Sequence, residues 1–321
     1  DWIDRLRMPN WLFYLLLTIV EFLLYYGLNR VIGFPANTPL ESMYAYVVLY
    51  NIGGLAFIHY MRRTAKRVLE DFAPALGASD AEFMRLNYQL TVLPAIPTLI
   101  ATVLGAAFTF ADALDPASQA LQIQYPPAVL VFAVLGLAVT GVMLLQIVRL
   151  LIMVNRIHRL AQRINLFQFD PLYSFSGLTV RIGLFVVIGA YFNLAIDPNA
   201  FASPSTIALN GVLLLIGAAA FVLPLNSMHQ RIVQEKKRLL AEHDQRFESV
   251  VNELNQHIDA RNLEQVDVLT RTMNSLVIQR EVLNKIPTWP WRTVTFRGFA
   301  TTLLLPLVVW LITRLLSRLG L

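Results

Sequence analysis

Residues 226–258 read NSMHQRIVQEKKRLLAEHDQRFESVVNELNQHI and open the one long polar segment of an otherwise apolar chain. Their apolar residues recur at steps of three, four and seven residues, with one adjacent pair, which places them on one face of a helix: Ile232, Leu239, Leu240, Phe247, Val250, Leu254 and Ile258. The pattern is interrupted at 259–262. It then resumes in Val266, Leu269, Met273, Leu276 and Leu283, with Arg280 at one position of the row. We therefore predict an antiparallel helical hairpin over 226–286.

The composition places this hairpin in a membrane protein. Hydrophobic residues make up 56% of the chain and charged residues 15%, and the mean hydropathy is +0.55. A soluble domain has about 25% charged residues. The hairpin carries nine Lys/Arg and nine Asp/Glu, 18 of the 47 charges in the chain. The rest is therefore poorer still in charge, and we predict an all-α polytopic membrane protein with a charged, water-exposed hairpin.

Seven apolar segments are long enough to cross a bilayer core of about 30 Å as helices. They are residues 11–31, 43–61, 90–111, 128–150, 178–196, 206–225 and 294–316. We predict a six-span bundle over 1–225, the hairpin, and then an interfacial elbow with the seventh span over 287–321. The first span is too long, and lacks the Ala-x-Ala exit, for a signal peptide.

Several details of these spans carry their own predictions. Ser79 and Glu82 form a Ser-x-x-Glu capping box, which predicts a helix start. Pro94 and Pro97 predict a kink in the third span. The apolar pattern of the fourth span continues to Leu160, so this helix is expected to project from the membrane, while residues 165–177 are interpreted as a loop.

The basic residues predict the orientation of the spans. With residue 1 in the cytoplasm, 23 of the 26 Lys/Arg lie in the inner segments 1–9, 61–89, 146–181 and 226–297. Cytoplasmic loops of membrane proteins carry this excess of positive charge. The N-terminus and hairpin are therefore expected in the cytoplasm and the C-terminus outside the cell membrane. The high pI of about 9.6 marks topology and contact with the lipid bilayer, and it does not indicate nucleic-acid binding.

Signatures of catalysis and of metal or cofactor binding are missing from the sequence. The chain has no cysteine, no P-loop, no His-Glu-x-x-His and no nucleophile elbow. His229, His243 and His257 are fourteen residues apart, about 21 Å along a helix, so they cannot share an ion. We interpret them as solvated hairpin positions. We expect a protein that is not an enzyme and has no catalytic residue, metal or cofactor.

Glu21 lies in the middle of the first span, where a carboxylate is costly and tends to face the bundle interior or a water path. One interpretation is an ion-coordinating or proton-carrying group. The other is a structural Glu that joins two helices through a hydrogen bond, for example to Asn51, Asn193 or Asn210. The sequence leaves both open.

The seventh span carries a stripe of small, weakly polar residues at three- and four-residue spacing: Thr295, Gly298, Thr302, Pro306, Val309 and Thr313. The stripe can line a pore or let helices approach closely, and packing is the more frequent case. Arg314 beside it either reaches lipid phosphates or forms a positive ring around an axis. The candidate pore or pathway residues are Glu21, Thr295, Thr302, Thr313 and Arg314.

The elbow between hairpin and seventh span has the sequence PTWPWRTVTFR over residues 287–297. Trp289 and Trp291 fit the headgroup level of a bilayer, and Arg292 and Arg297 fit lipid phosphate. One interpretation is a structural role as a lipid anchor. The other is a functional role as a stiff gating elbow that transmits movement of the hairpin to the last span.

The layout of spans is similar to that of the insect chemoreceptor channels: seven spans, a cytoplasmic N-terminus, helices extended into the cytosol, and a last span after a cytosolic helix. The likeness covers topology alone and assigns no residue.

We carry three function hypotheses. The first is a homo-oligomeric ion channel with its pore near the last span, gated through the cytosolic helices, because the hairpin has more apolar residues than two helices need. The second is a signalling or scaffold protein whose hairpin recruits a cytosolic partner. The third is a secondary transporter.

Overall fold

The computed structural model describes residues 3, 6, 8–31, 49–114, 127–162, 164–196, 204–260 and 262–318. The regular structure of these residues is entirely helical, as the composition predicts. The α-helices are α1 (Asn10–Val31), α2 (Gly54–Leu76), α3 (Asp80–Thr91), α4 (Ala95–Leu114), α5 (Pro127–Leu160), α6 (Asp170–Ile196), α7 (Pro204–Val222), α8 (Asn226–Asp259), α9 (Leu263–Lys285) and α10 (Thr293–Arg318). A π-helical turn at Leu49–Gly53 precedes α2, and a 3-10 turn at Leu223–Leu225 precedes α8.

Five stretches of the described residues are long and apolar enough to cross a membrane, which agrees with a multi-pass membrane protein. They are Asn10–Leu28, Asp80–Phe108, Leu130–Leu160, Asp170–Phe192 and Asn210–Asp259. The predicted second span, 43–61, lies partly outside the described residues. So do the side chains of the seventh span from residue 309 onward, including Thr313 and Arg314.

The bundle is built from two tightly packed pairs, α4 with α5 and α6 with α7, and α2 packs against both α5 and α6. Glycines explain the closeness of these pairs. A Cβ at Gly105 would clash with the Leu137 carbonyl oxygen, and a Cβ at Gly141 with the Ala101 carbonyl oxygen. A Cβ at Gly183 would lie 2.7 Å from the Gly217 carbonyl oxygen. Small residues allow the backbones of membrane helices to approach in this way.

The helix of the predicted second span continues beyond Met61, because α2 runs to Leu76. The basic residues at 62, 63, 66 and 67, which follow the predicted span, occupy only one side of this continuing helix. Its other side is buried against the bundle through Met61, Ala65, Leu69, Phe72 and Leu76. Burial of that face, rather than the span length, decides where the helix ends.

The predicted kink of the third span is a full break. α3 begins after Ser79, whose side chain accepts a hydrogen bond from the Glu82 amide, as the capping box predicts. It ends at Thr91, and α4 begins only at Ala95. Pro94 disfavours a helical conformation at the residue before it. Arg149 of α5 donates to the carbonyl oxygens of Gln89 and Val92, so the break is capped by a charged side chain.

The predicted loop at 165–177 is wrong from Asp170 onward, where α6 begins. Leu172 and Phe175 are almost completely buried in the core, and Phe169 stacks on Tyr173 with 5.4 Å between ring centroids. Leu172 and Phe175 therefore lie on the inner face of a helix that starts eight residues before the predicted span. By contrast, α5 runs unbroken to Leu160, as its apolar pattern predicts.

α8 and α9 pack against each other and run in opposite directions. Lys236 near the start of α8 donates to the carbonyl oxygens of Asn284 and Ile286 at the end of α9, at 2.8 and 2.9 Å. Further along, the ring Nε2 of His243 lies 2.7 Å from the Leu276 carbonyl oxygen. Arg280, the polar position in the apolar row, is exposed and lies 3.6 Å from Asp244.

Candidate functional site

The buried polar pair Glu21–Asn51 is the first candidate site. Glu21 of α1 is 7% exposed and Asn51 of the π-helical turn is 5% exposed. The Asn51 amide nitrogen donates to Glu21 Oε1 and also to the Phe132 carbonyl oxygen of α5, at 3.3 Å in the second case. The pair therefore joins α1, the π turn and α5. Of the three asparagines considered from the sequence, Asn51 is the one that bonds Glu21, and Asn193 has its side chain outside the described part.

Two buried oxygen atoms of this pair, Glu21 Oε2 and Asn51 Oδ1, accept no hydrogen bond from the part of the chain that the structure describes. A buried acceptor left without a donor costs about 1–3 kcal/mol. π-Helical turns are often found at functional sites. Both facts distinguish this pair from an ordinary structural contact between helices.

A groove of about 710 Å³ lies one helical turn from the pair, between α1, α2, the α3–α4 break and α5. Leu17 and Leu55 line it, and they are four residues from Glu21 and Asn51 respectively, which is about 6 Å along each helix. Its polar lining includes Tyr14, His59, Arg62, Thr91 and Gln146. The Tyr14 hydroxyl and His59 Nδ1 are hydrogen-bonded at 2.9 Å. No sequence pattern indicates this groove, because its lining residues come from distant segments of the chain.

The second candidate site is the elbow. Trp289 and Trp291 stack on each other at 4.3 Å, and Trp289 stacks on His229 of α8 at 4.0 Å. Trp291 continues the stack toward Phe296 of α10 at 5.4 Å and also lies 5.3 Å from Phe221 of α7. The two tryptophans therefore contact protein rings in α7, α8 and α10, and the stack connects these helices.

Arg292 extends the elbow to α6. Its guanidinium lies 2.6 Å from a carboxylate oxygen of Asp170 and 6.0 Å from the ring centre of Tyr173. Arg292 and Thr295 line one cleft of about 430 Å³ together with Asp71, Asp170, Tyr173 and Ser176. The structure thus brings two predicted site residues together, whereas Arg297 is exposed on α10.

The predicted stripe on α10 lies beside the contact with α6 rather than inside it. That contact is made by Phe299, which is buried, and by the Leu303 carbonyl, which accepts from the Tyr191 hydroxyl at 2.6 Å. The Thr302 hydroxyl donates to the Gly298 carbonyl of its own helix at 3.0 Å. A backbone-bonded threonine is what simple packing predicts. Glu21 and Thr302 belong to different parts of the bundle, since α1 packs on α5 and α10 packs on α6.

A contact that no sequence pattern indicates connects the bundle to α8 through Arg231 and the buried His158. Arg231 donates to the carbonyl oxygens of His158 and Arg159 at the end of α5, at 2.8 and 2.9 Å. His158 itself is fully buried, its Nδ1 lies 3.2 Å from the Pro224 carbonyl, and its ring contacts Phe72 and Phe175. Arg231 and His158 belong to no motif, so the sequence does not distinguish them from the other basic residues.

The interpretation of the histidines as solvated positions is wrong for His243, which is buried between α8 and α9. It also misses that His229 stacks on Trp289 and lies 2.9 Å from the Thr288 carbonyl. Within the described ranges, no group of three His, Cys, Asp or Glu residues is arranged to hold a metal ion.

Comparisons with protein-family models, with curated proteins and with solved structures find no match to this chain. The likeness to insect chemoreceptor channels therefore remains one of predicted span order.

Proposed function

We propose that the protein is a homo-oligomeric ion channel of the cell membrane, with its pore near α10 and gated through α8 and α9. In this proposal residues 43–61 and 294–316 complete seven spans. The N-terminus and the α8–α9 hairpin lie in the cytoplasm, and the C-terminus lies outside.

The placement of α10 is the observation that carries the proposal. On one side α10 is attached to α6 through Phe299 and Leu303. At its start it is attached to α8 through the stack of Trp291, Trp289 and His229. The remaining described surface of α10 is largely exposed, including Val294, Leu304 and Leu305. In this proposal α10 is linked to the cytosolic helices α8 and α9, and most of its surface is not covered by other helices of its own chain. Such a helix can line a central axis that several copies of the chain share.

Ion flux into liposomes that contain the purified protein tests this proposal. Thr302→Trp adds a large ring to the stripe and is expected to abolish flux. Thr301→Trp is the matched control, because Thr301 is exposed and lies about 100° around the helix from Thr302, on the side away from Phe299 and α6. Flux that survives Thr302→Trp and is lost only in Glu21→Gln would move the path to α1 and favour a transporter. Absence of flux from the wild-type protein under all gradients would contradict the channel.

The outer face of α9 supports a second copy of the chain as partner. Val268, Ile278 and Val282 lie on the side of α9 away from α8, and they are 53%, 63% and 51% exposed. A water-exposed helix in a monomer normally carries polar residues on such a face.

We expect Ile278→Lys to dissociate the oligomer, because it would bury a lysine in each contact between copies. The mass of the protein–detergent particle, measured by light scattering, checks this. Gln245→Lys is the control, since Gln245 is exposed on α8 opposite the face that packs on α9. A wild-type protein that is monomeric in detergent and in nanodiscs would contradict the proposed assembly.

The same apolar face favours the scaffold alternative, in which a cytosolic protein binds α9. That alternative predicts a wild-type monomer, no flux, and a soluble partner whose retention is lost in Ile278→Lys. The transporter alternative is favoured by the buried Glu21–Asn51 pair beside a groove.

A further inference from the structure

The pair formed by Glu21 and Asn51 is already joined by one hydrogen bond, from the Asn51 amide nitrogen to Glu21 Oε1. The two atoms left over are Glu21 Oε2 and Asn51 Oδ1, which are both buried acceptors without a donor among the described residues. Two acceptors cannot satisfy each other. One additional hydrogen between the two groups would satisfy both.

We propose that Glu21 is a proton-binding site, in which the bound proton on Oε2 is donated to Asn51 Oδ1. The carboxylic acid and the amide then form a cyclic pair with two parallel hydrogen bonds. Binding the proton converts a carboxylate and a hydronium ion into a neutral acid and water, so atoms and charge balance. The inference does not depend on where a pore lies.

The negative charge that Glu21 would carry when ionised also supports a bound proton. An ionised carboxylate in the hydrocarbon region is energetically costly, and partnering with a cation normally offsets this cost. The surroundings of Glu21 are α1, the π turn with α2, and α5. Within the described residues of these elements, the titratable groups nearest Glu21 are Tyr25 on α1, then Tyr14, His59 and Arg62 in the groove two or more turns away. Arg149 on α5 is 17 residues from Phe132, about 25 Å along the helix. Arg149 already caps the α3–α4 break. A proton is therefore the simplest way to neutralise Glu21.

The groove provides an entry for the proton. It reaches Leu17 and Leu55, one turn from the pair, and its lining includes Arg62, two turns further along α2 than Leu55. The Tyr14–His59 hydrogen bond lies in the groove wall. Exchange of the proton then requires water to cross only one helical turn.

Infrared spectroscopy of the full chain in maltoside detergent, which has no carbonyl group, tests the proposal. The wild type is expected to show the C=O band of a protonated carboxylic acid that shifts in heavy water. Glu21→Gln should remove that band, and Glu82→Gln is the control because Glu82 is an exposed acid. Asn51→Leu should keep the acid but move its band, because the amide donor is gone.

Reaction with dicyclohexylcarbodiimide, an apolar reagent for protonated carboxyl groups, provides a second measurement on the wild type itself. Labelling of Glu21, followed by peptide mass spectrometry, should decrease about tenfold per pH unit once the proton dissociates. A Glu21 carboxylate band, identified as the difference between the wild-type and Glu21→Gln spectra, at every pH at which the protein stays folded would overturn the proposal. So would labelling that is blocked at constant pH by Na⁺ or K⁺, because the occupant would then be a metal cation.

The free energy of unfolding should depend on whether Glu21 has bound its proton. The folded state binds it and the unfolded chain in water releases it at neutral pH, so the free energy of unfolding should fall as pH rises. Glu21→Gln should remove this dependence, since its amide can donate to Asn51 Oδ1 at any pH. If the unfolding temperatures of the wild type and of Glu21→Gln changed equally with pH, the proposal of a bound proton would be contradicted.

Discussion

Replacing Gly141 by alanine is expected to destabilise the bundle by roughly 1–3 kcal/mol, the usual cost of overpacking. The added methyl group would meet the Ala101 carbonyl oxygen of α4, and backbone cannot move aside as a flexible side chain can. Gly105 faces Gly141 in the same contact, so the two helices would have to separate along their length. Thermal unfolding of the purified protein measures the loss.

Gly189→Ala is the matched control, because Gly189 also lies within a helix but has no atom within 4 Å of the new Cβ among the described neighbours. Alanine is a better helix former than glycine by about 1 kcal/mol, so this variant should be unchanged or slightly more stable. Equal behaviour of the two variants would mean that α4 and α5 do not approach through their glycines.

Trp291→Ala should cost about 3 kcal/mol, near the lower end of the range for deleting a packed aromatic ring. The ring contacts Trp289, Phe296 and the buried Phe221, so its removal opens a gap where α7, α10 and the elbow meet. We expect the elbow to loosen before the bundle unfolds. Trypsin cleavage after Lys285 and Arg292, followed over time, should accelerate strongly.

Trp291→Phe should restore most of the stability and the protease resistance, because a smaller ring can keep the stack. Trp11→Ala should have little effect, since Trp11 is 67% exposed. If Trp291→Ala were cleaved no faster than wild type, the stack would not hold the elbow to the bundle.

Helical periodicity was the most informative signal in the sequence. It predicts the long α5 and the interruption between α8 and α9, because a repeated apolar face is a local property that neighbouring residues express together. The Ser79 cap is local in the same sense. The all-helical, membrane-type composition required only counting.

What could not be predicted depends on contacts between distant residues. α2 continues past its basic residues because the opposite side is buried by α5 and α6. His243 is buried because the Leu276 carbonyl, 33 residues later, meets its ring. For the candidate site, Glu21 is conspicuous in the sequence, but the π turn that presents Asn51 and the groove beside it are formed by tertiary packing. Such contacts leave no period and no motif.

The capping of the α3–α4 break by Arg149 also has a consequence for biosynthesis. Arg149 is 57 residues after Val92, whose carbonyl it binds. At about 5–20 residues per second, the ribosome leaves those carbonyls without their guanidinium for several seconds. During that interval the carbonyl groups at the break have no hydrogen-bond donor, which is costly in lipid. The third apolar segment is therefore expected to stay near water or the insertion machinery until α5 has been synthesised. Once α5 has been synthesised, Arg149 can bind these carbonyl groups. We therefore expect α4 and α5 to insert into the membrane as one unit.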